Sequence, residues 1–239
     1  MLLNIKYKMK KFSFKEIKFY SGDYDQIKYE FDKGGVLVAP AASALANIDT
    51  DKQYYSSLKN SKIAILDSGF FCILLRIFRF QKVKKLSGFL FLKTFLDNFK
   101  NQQKILFIDP SKKSNILNIK FLKSKKIINF KTYIAPNYNK KFFDLKLLNL
   151  INNYKPKYIV INIGGGSQEP LAIYINKNIK YNVSIMCTGA ALAFMTGEQA
   201  PINKFIDKIY LGWLTRIVWN PKLYLGRILK SFKIIKFFF

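Results

Sequence analysis

The stretch Tyr158-Ile159-Val160-Ile161-Asn162-Ile163 runs directly into Gly164-Gly165-Gly166-Ser167-Gln168-Glu169, and that break constrains the fold more than any other feature of the chain. A short apolar run rich in β-branched residues and closed by glycine reads as a strand buried on both faces. Glycine at its end lets the backbone approach a ligand closely, and a helix opening near Ser167 turns its N-terminus toward the same point. The plainer reading is a turn with no ligand. Two familiar nucleotide motifs are excluded: the third spaced glycine of a dinucleotide fingerprint and its downstream acid are missing, and there is no Walker sequence. Gln168-Glu169 is more specific than the glycines, because two polar side chains open a segment that continues with Leu171, Ile173 and Ile175.

Other runs repeat the pattern. Val36 to Pro40 after Gly34-Gly35, Ile63 to Leu66, Ile105 to Ile108 and Val183 to Cys187 read as further strands. Helical segments are expected between them: Asp49 to Asn60 from an acidic cap, Phe70 to Phe80 largely buried, Phe89 to Phe99, Asn115 to Leu122 and Asp144 to Asn153. Lys126 to Phe130 reads as one more short segment. This alternation predicts an α/β fold, a mostly parallel sheet with helices on both faces, with a C-terminal helical appendage. The 239 residues suffice to bury such a core. The expected division is a variable N-terminal segment over 1–33, of low order with a short strand or two where Phe12, Phe14, Ile17 and Phe19 weakly alternate, the sheet domain over 34–198, and a basic aromatic helical appendage over 199–239. Ligands in such sheets bind at the carboxyl ends of strands. Asp67, Asp109, the Gly164 run and Thr188-Gly189 all fall at such ends.

The chain has no histidine, which removes imidazole bases, histidine-ligated metals and Ser-His-Asp triads. A carboxylate is then the natural general base. Asp67, before Ser68-Gly69, is the candidate, with capping of the next helix as its alternative role. Asp109 competes, but Asp-Pro after a strand is an ordinary turn signal. Cys72 and Cys187 are too few for a disulfide scaffold or a zinc site; they read as core residues and suggest a reducing compartment.

The formal charge of +27 invites a nucleic-acid partner. Only Arg76, Arg79, Arg216 and Arg227 among the 41 basic residues are arginine, the residue of bidentate base and phosphate contacts. An anionic lipid surface or a diphosphate substrate accounts for the charge at least as well. From Pro201 onward, Trp213, Leu214, Ile217 and Val218, then Leu225, Ile228, Leu229 and Phe232, recur at helical spacing among basic residues. That pattern describes an interfacial anchor, or helices packed on the domain with a solvated basic face. Burial in a partner subunit is a further use for it, so a homo-oligomer is open. No apolar run is long enough to span a bilayer, and Met1 to Lys11 lacks a signal-peptide pattern. The expectation is a cytoplasmic protein, peripheral on the inner face of the cell membrane.

From Ile161 to Lys230 the chain resembles the WecG/TagA/CpsF glycosyltransferases. The family's Gly-x-Pro-Lys-Gln-Glu turn reads Gly164-Gly165-Gly166-Ser167-Gln168-Glu169, and its small-residue segment reads Gly189-Ala190-Ala191-Leu192-Ala193-Phe194-Met195-Thr196-Gly197. Gln199-Ala200-Pro201 stands for Arg-Ala-Pro, and Leu211-Gly212-Trp213-Leu214-Thr215-Arg216 for Leu-Glu-Trp-Leu-x-Arg, followed by Pro221-Lys222. Upstream, Asp67-Ser68-Gly69 matches the turn carrying the family's proposed base, and Lys85-Leu86-Ser87-Gly88 stands for Arg-x-x-Gly. The likeness, in order over residues 34 to 232, implies a Rossmann-like domain that transfers an N-acetylmannosamine-type sugar from a UDP donor to a polyprenyl-diphosphate-linked acceptor. It further implies inverting chemistry with no metal or other cofactor, and an appendage that touches membrane and closes over the donor. By the same resemblance Asp67 is the base, Arg216 and Arg227 reach the diphosphate, and Gln168 and Glu169 line the donor pocket. Lys85, Gly164, Gly165, Gly166, Thr188 and Gly189 complete the expected donor-binding set. The sequence departs from the family at Ala39-Pro40-Ala41, where Thr-x-Asn is usual, at Lys85, at Gly166-Ser167 and at Leu223. These departures are compatible with a member that binds UDP-sugar or membrane without catalysis.

Overall fold

The computed structural model describes residues 9–199 and 221–239. Strands β1 (Lys10–Phe14) and β2 (Ile17–Ser21) form a hairpin, followed by helix α1 (Tyr24–Asp32), β3 (Gly35–Val38), α2 (Ala42–Leu45) and α3 (Lys52–Lys59). Next come β4 (Ile63–Ile65), α4 (Gly69–Arg79), α5 (Gly88–Asp97), β5 (Ile105–Asp109), α6 (Lys112–Ser124) and β6 (Phe130–Ile134). The order continues with α7 (Leu145–Tyr154), β7 (Tyr158–Ile161), α8 (Gln168–Asn178), β8 (Ser184–Cys187) and α9 (Ala191–Met195). A C-terminal helix (Pro221–Phe232) leads into a 3₁₀ segment, Lys233–Phe237.

The eight strands among the described residues join one sheet in the order β1-β2-β4-β3-β8-β7-β5-β6. Only β1 runs antiparallel to its neighbour; the others pair in parallel. The central strands are apolar throughout because both faces are covered. Leu106 and Ile108 of β5 join one core layer with Phe71 of α4, Leu147 of α7 and Leu171 of α8. Ile105 and Phe107 join the other, with Phe31 of α1, Phe91 of α5 and Leu122 of α6. Successive side chains of a strand point to opposite faces, so each strand feeds both layers. The result is the Rossmann-like α/β architecture, with a helix at the C-terminal end.

Short polar side chains fix where the helices start. Asp51, Ser68, Ser87, Ser111 and Asp144 each accept a backbone N–H from the first turn of α3, α4, α5, α6 and α7. Such caps satisfy N–H groups that have no partner inside the helix.

Three expectations change. Residues 9–33 hold the expected strands but are not of low order: the β1–β2 hairpin closes through Lys15 and Glu16, both at positive φ, and α1 is anchored by buried Ile27 and Phe31. The short segment expected over Lys126 to Phe130 is mostly loop, and a strand starts only at Phe130 and runs to Ile134, because Lys126 follows α6 at φ 57° and Asn101 ties down the loop at Ile128 and Asn129. Finally, α4 buries only one side; Ile73, Ile77 and Phe78 are exposed, and Phe80 beyond its end is 90% exposed.

Candidate active site

Because β3, β4, β5, β7 and β8 are parallel, their carboxyl ends share one edge of the sheet. The helices after β3 enter one core layer, whereas α9, after the neighbouring β8, enters the other. Connections that diverge from adjacent strands open a crevice at their carboxyl ends. Ala39 and Thr188 flank it.

Asp67 lies just past β4. Its Oδ1 accepts the backbone N–H of Gly88 at 2.8 Å. Gly88 opens α5 and is wedged against the crevice: a Cβ there would sit 3.0 Å from Ala39 Cβ and 3.1 Å from the Thr188 carbonyl oxygen. Asp67 is thereby tied to the β3 and β8 ends through one glycine. Helix capping belongs to the next residue, Ser68, whose hydroxyl accepts the Phe71 N–H. Lys85 precedes Gly88 by three residues, and its charge and that of Asp67 act in opposite senses on the buried thiol of Cys72.

The Gly164 run forms a second wall. Gly164 and Gly166 adopt φ of +93° and +88°, and a Cβ at either would meet nothing within 4 Å, so their surroundings are open. Gln168 and Glu169 open α8, but each is only 1% exposed. Glu169 Oε2 accepts the Gly166 N–H at 2.7 Å, and Oε1 accepts the Gln168 side-chain amide at 2.9 Å. Gln168 Oε1 in turn accepts the Gly189 N–H at 3.2 Å. The pair is a strut joining the turn after β7 to the turn after β8. Burial pushes the Glu169 carboxyl up to about 6, with the Asp51 charge adding to the rise. At neutral pH it is ionised, the form suited to accepting both N–H groups.

Two hydroxyls beside this strut have no hydrogen-bond partner among the described residues: Thr188 Oγ1 and Tyr54 Oη. Tyr54, on α3, is buried, which pushes its hydroxyl pKa well up, and the charges of Glu169, Asp51 and Asp67 add to the rise. Nothing local in the sequence marks it as a neighbour of the acids.

Asp109 is not a surface turn residue. It ends β5 with no exposure, and its carboxylate receives amide hydrogen bonds from Asn115, Asn118 and Asn162 at 2.8, 2.8 and 2.9 Å. Burial raises its carboxyl above the usual range while the three amides oppose the rise. Asn115 and Asn118, three apart on α6, were the available signal for this knot.

Comparison with protein families matches residues 16–239 to one described as Glycosyl transferase WecG/TagA/CpsF family. The match spans nearly the whole chain. This protein is a member of the WecG/TagA/CpsF family. Comparison with curated proteins gives no match. Family membership makes it a glycosyltransferase of cell-surface polysaccharide synthesis, and no helix among the described residues is long and apolar enough to cross a membrane. Trp213 and Arg216 lie outside the described residues. Arg227 stands on the exposed side of the C-terminal helix, which packs against α2 behind the β3 end.

Proposed function

We propose that this WecG/TagA/CpsF member transfers an N-acetylmannosamine-type sugar from a UDP donor to a polyprenyl-diphosphate-linked acceptor, with inversion and without a metal. The observation that carries the reading is the Asp67 carboxylate, oriented by the Gly88 N–H at the carboxyl edge of a parallel sheet. Asp67 takes the proton from the acceptor hydroxyl as its oxygen bonds to the anomeric carbon. The bond from that carbon to UDP breaks on the opposite face, and the diphosphate leaves with the electron pair. Arg216 and Arg227 stabilise the departing charge, aided by Lys85, because charge-assisted hydrogen bonds strengthen as the charge develops. The glycine turns held by Gln168 and Glu169 offer backbone N–H groups to the donor, with Thr188 beside them. Residues 199–239 close over the donor and rest on the anionic inner face of the cell membrane.

A second reading is favoured by Ala39 and Ala41, which replace polar groups usual in the family: a member that binds UDP-sugar without turnover. Calorimetric titration with UDP and UDP-N-acetylmannosamine, followed by transfer assays on a lipid-linked acceptor, separates the two. Saturable binding that weakens in Arg216→Ala, together with transfer, supports the first reading. Saturable binding with no transfer to any lipid acceptor supports the second.

A further inference from the structure

We propose that the outer face of α4 is a lipid-contacting surface continuous with that of the C-terminal helix, so that the protein seats on an anionic bilayer through two helices. The proposal rests on the membrane-surface part of the reading above and assigns it a second element.

Ile73, Ile77 and Phe80 recur at helical spacing on the side of α4 turned away from the core, 37%, 58% and 90% exposed. Stripes of this kind on soluble helices face a core. Here the core face is already supplied by Phe71, Leu74 and Leu75, so the outer stripe is additional. Phe70 joins it to the C-terminal helix, its ring packed edge-on against Phe232 with centroids 5.1 Å apart. Phe232 continues into Leu229 and Leu225, which are 61% and 50% exposed. The two stripes therefore make one apolar surface.

Its chemistry selects lipid. Arg76, Lys82, Arg227, Lys230 and Lys233 are all exposed on these two segments. No acidic residue occurs between Gly69 and Lys85 or between Pro221 and Phe239. A second copy docked on the same face would bring these cations against their own kind, whereas an anionic leaflet complements them. The first turn of the helix, which carries Phe70, starts two residues after Asp67, so this surface runs from beside the carboxylate that would meet a lipid-linked acceptor toward Phe80.

The test uses the full chain with an environment-sensitive dye on the thiol of Phe80→Cys; the native cysteines, Cys72 and Cys187, are buried. Gln102→Cys, exposed before β5 and far along the sheet from the β1–β2 hairpin that α4 packs against, is the control. With phosphatidylcholine–phosphatidylglycerol vesicles the dye at position 80 is expected to blue-shift and the control to stay unchanged, with no response to phosphatidylcholine alone. Ile77→Asp with Phe80→Asp is expected to lower vesicle partitioning by about tenfold or more without changing the melting temperature, since both sites are exposed. A water-like dye at position 80 on protein that co-sediments with vesicles would overturn the proposal and leave the tail as the sole anchor. A blue shift that needs no vesicles and grows with protein concentration would overturn it in favour of a second copy. Failure of the unmodified chain to co-sediment would overturn the membrane reading itself.

Discussion

Asp67 Oδ1 accepts the backbone N–H of Gly88 at 2.8 Å, and Gly88 is itself pressed between Ala39 and Thr188. This contact ties the candidate base to the ends of three strands.

Gly88→Ala tests this arrangement. The added methyl would meet Ala39 Cβ at 3.0 Å and Thr188 backbone at 3.1 Å, so α5 must shift. We expect a loss of about 1–3 kcal/mol in stability from overpacking and a fall of about 10²-fold in kcat from misplacing Asp67. Denaturant unfolding and steady-state transfer rates measure the two effects separately.

Glu169 predicts a pH dependence. Its carboxyl lies at about 6 in the fold against 4.5 for a free side chain, so the folded state holds its proton to higher pH than the unfolded state does. Its stabilising contribution is complete below about pH 4.5 and is lost as pH rises through about 6, a change of about 2 kcal/mol. Urea unfolding across that range should show the slope in the parent protein, and Glu169→Gln should flatten it.

The end of the chain belongs to the core and not only to the surface. Ile234 has no exposure and joins the layer that contains Phe14 and Phe71, while Phe238 packs on both rings. Ile234→Ala should cost about 3 kcal/mol, read by chemical denaturation. An unchanged midpoint would show that this segment is not docked in solution.

Lys85 stands where the family has arginine. Lys85→Ala is expected to lower kcat/KM by about 10-fold or more, and Lys85→Arg to keep or raise it, because the guanidinium adds bidentate geometry to the same charge. Activity is also expected to survive EDTA in both the parent and Lys85→Arg.

Much of the sheet was legible because β5, β7 and β8 are apolar on both faces and end in polar or small residues. The start of α7 was legible from its cap Asp144, whereas α3, expected from Asp49, starts two residues later under the cap of Asp51. The β1 and β2 strands were legible in the weak alternation of Phe12, Phe14, Ile17 and Phe19, but their pairing as a hairpin was not, since its turn uses Lys15 and Glu16 where glycine or asparagine usually signals such a turn. The site was legible as a set of strand ends, but not as a network. That Gln168 and Glu169 are buried struts depends on Gly166 and Gly189 meeting across two strands, a long-range fact with no local signature. Basic and aromatic composition likewise hid the division of the chain end, where Ile234 turns inward and Leu229 outward.

The central claim is that Asp67 removes the acceptor proton, and Asp67→Asn tests it most directly. Asparagine keeps the size of the side chain and an oxygen for the Gly88 N–H but cannot take a proton at neutral pH. UDP affinity and transfer from a UDP-sugar to a polyprenyl-diphosphate-linked acceptor should be measured on the same preparation. The account predicts unchanged UDP binding with turnover reduced by about 10²–10⁴-fold. Turnover at the parent rate would contradict it.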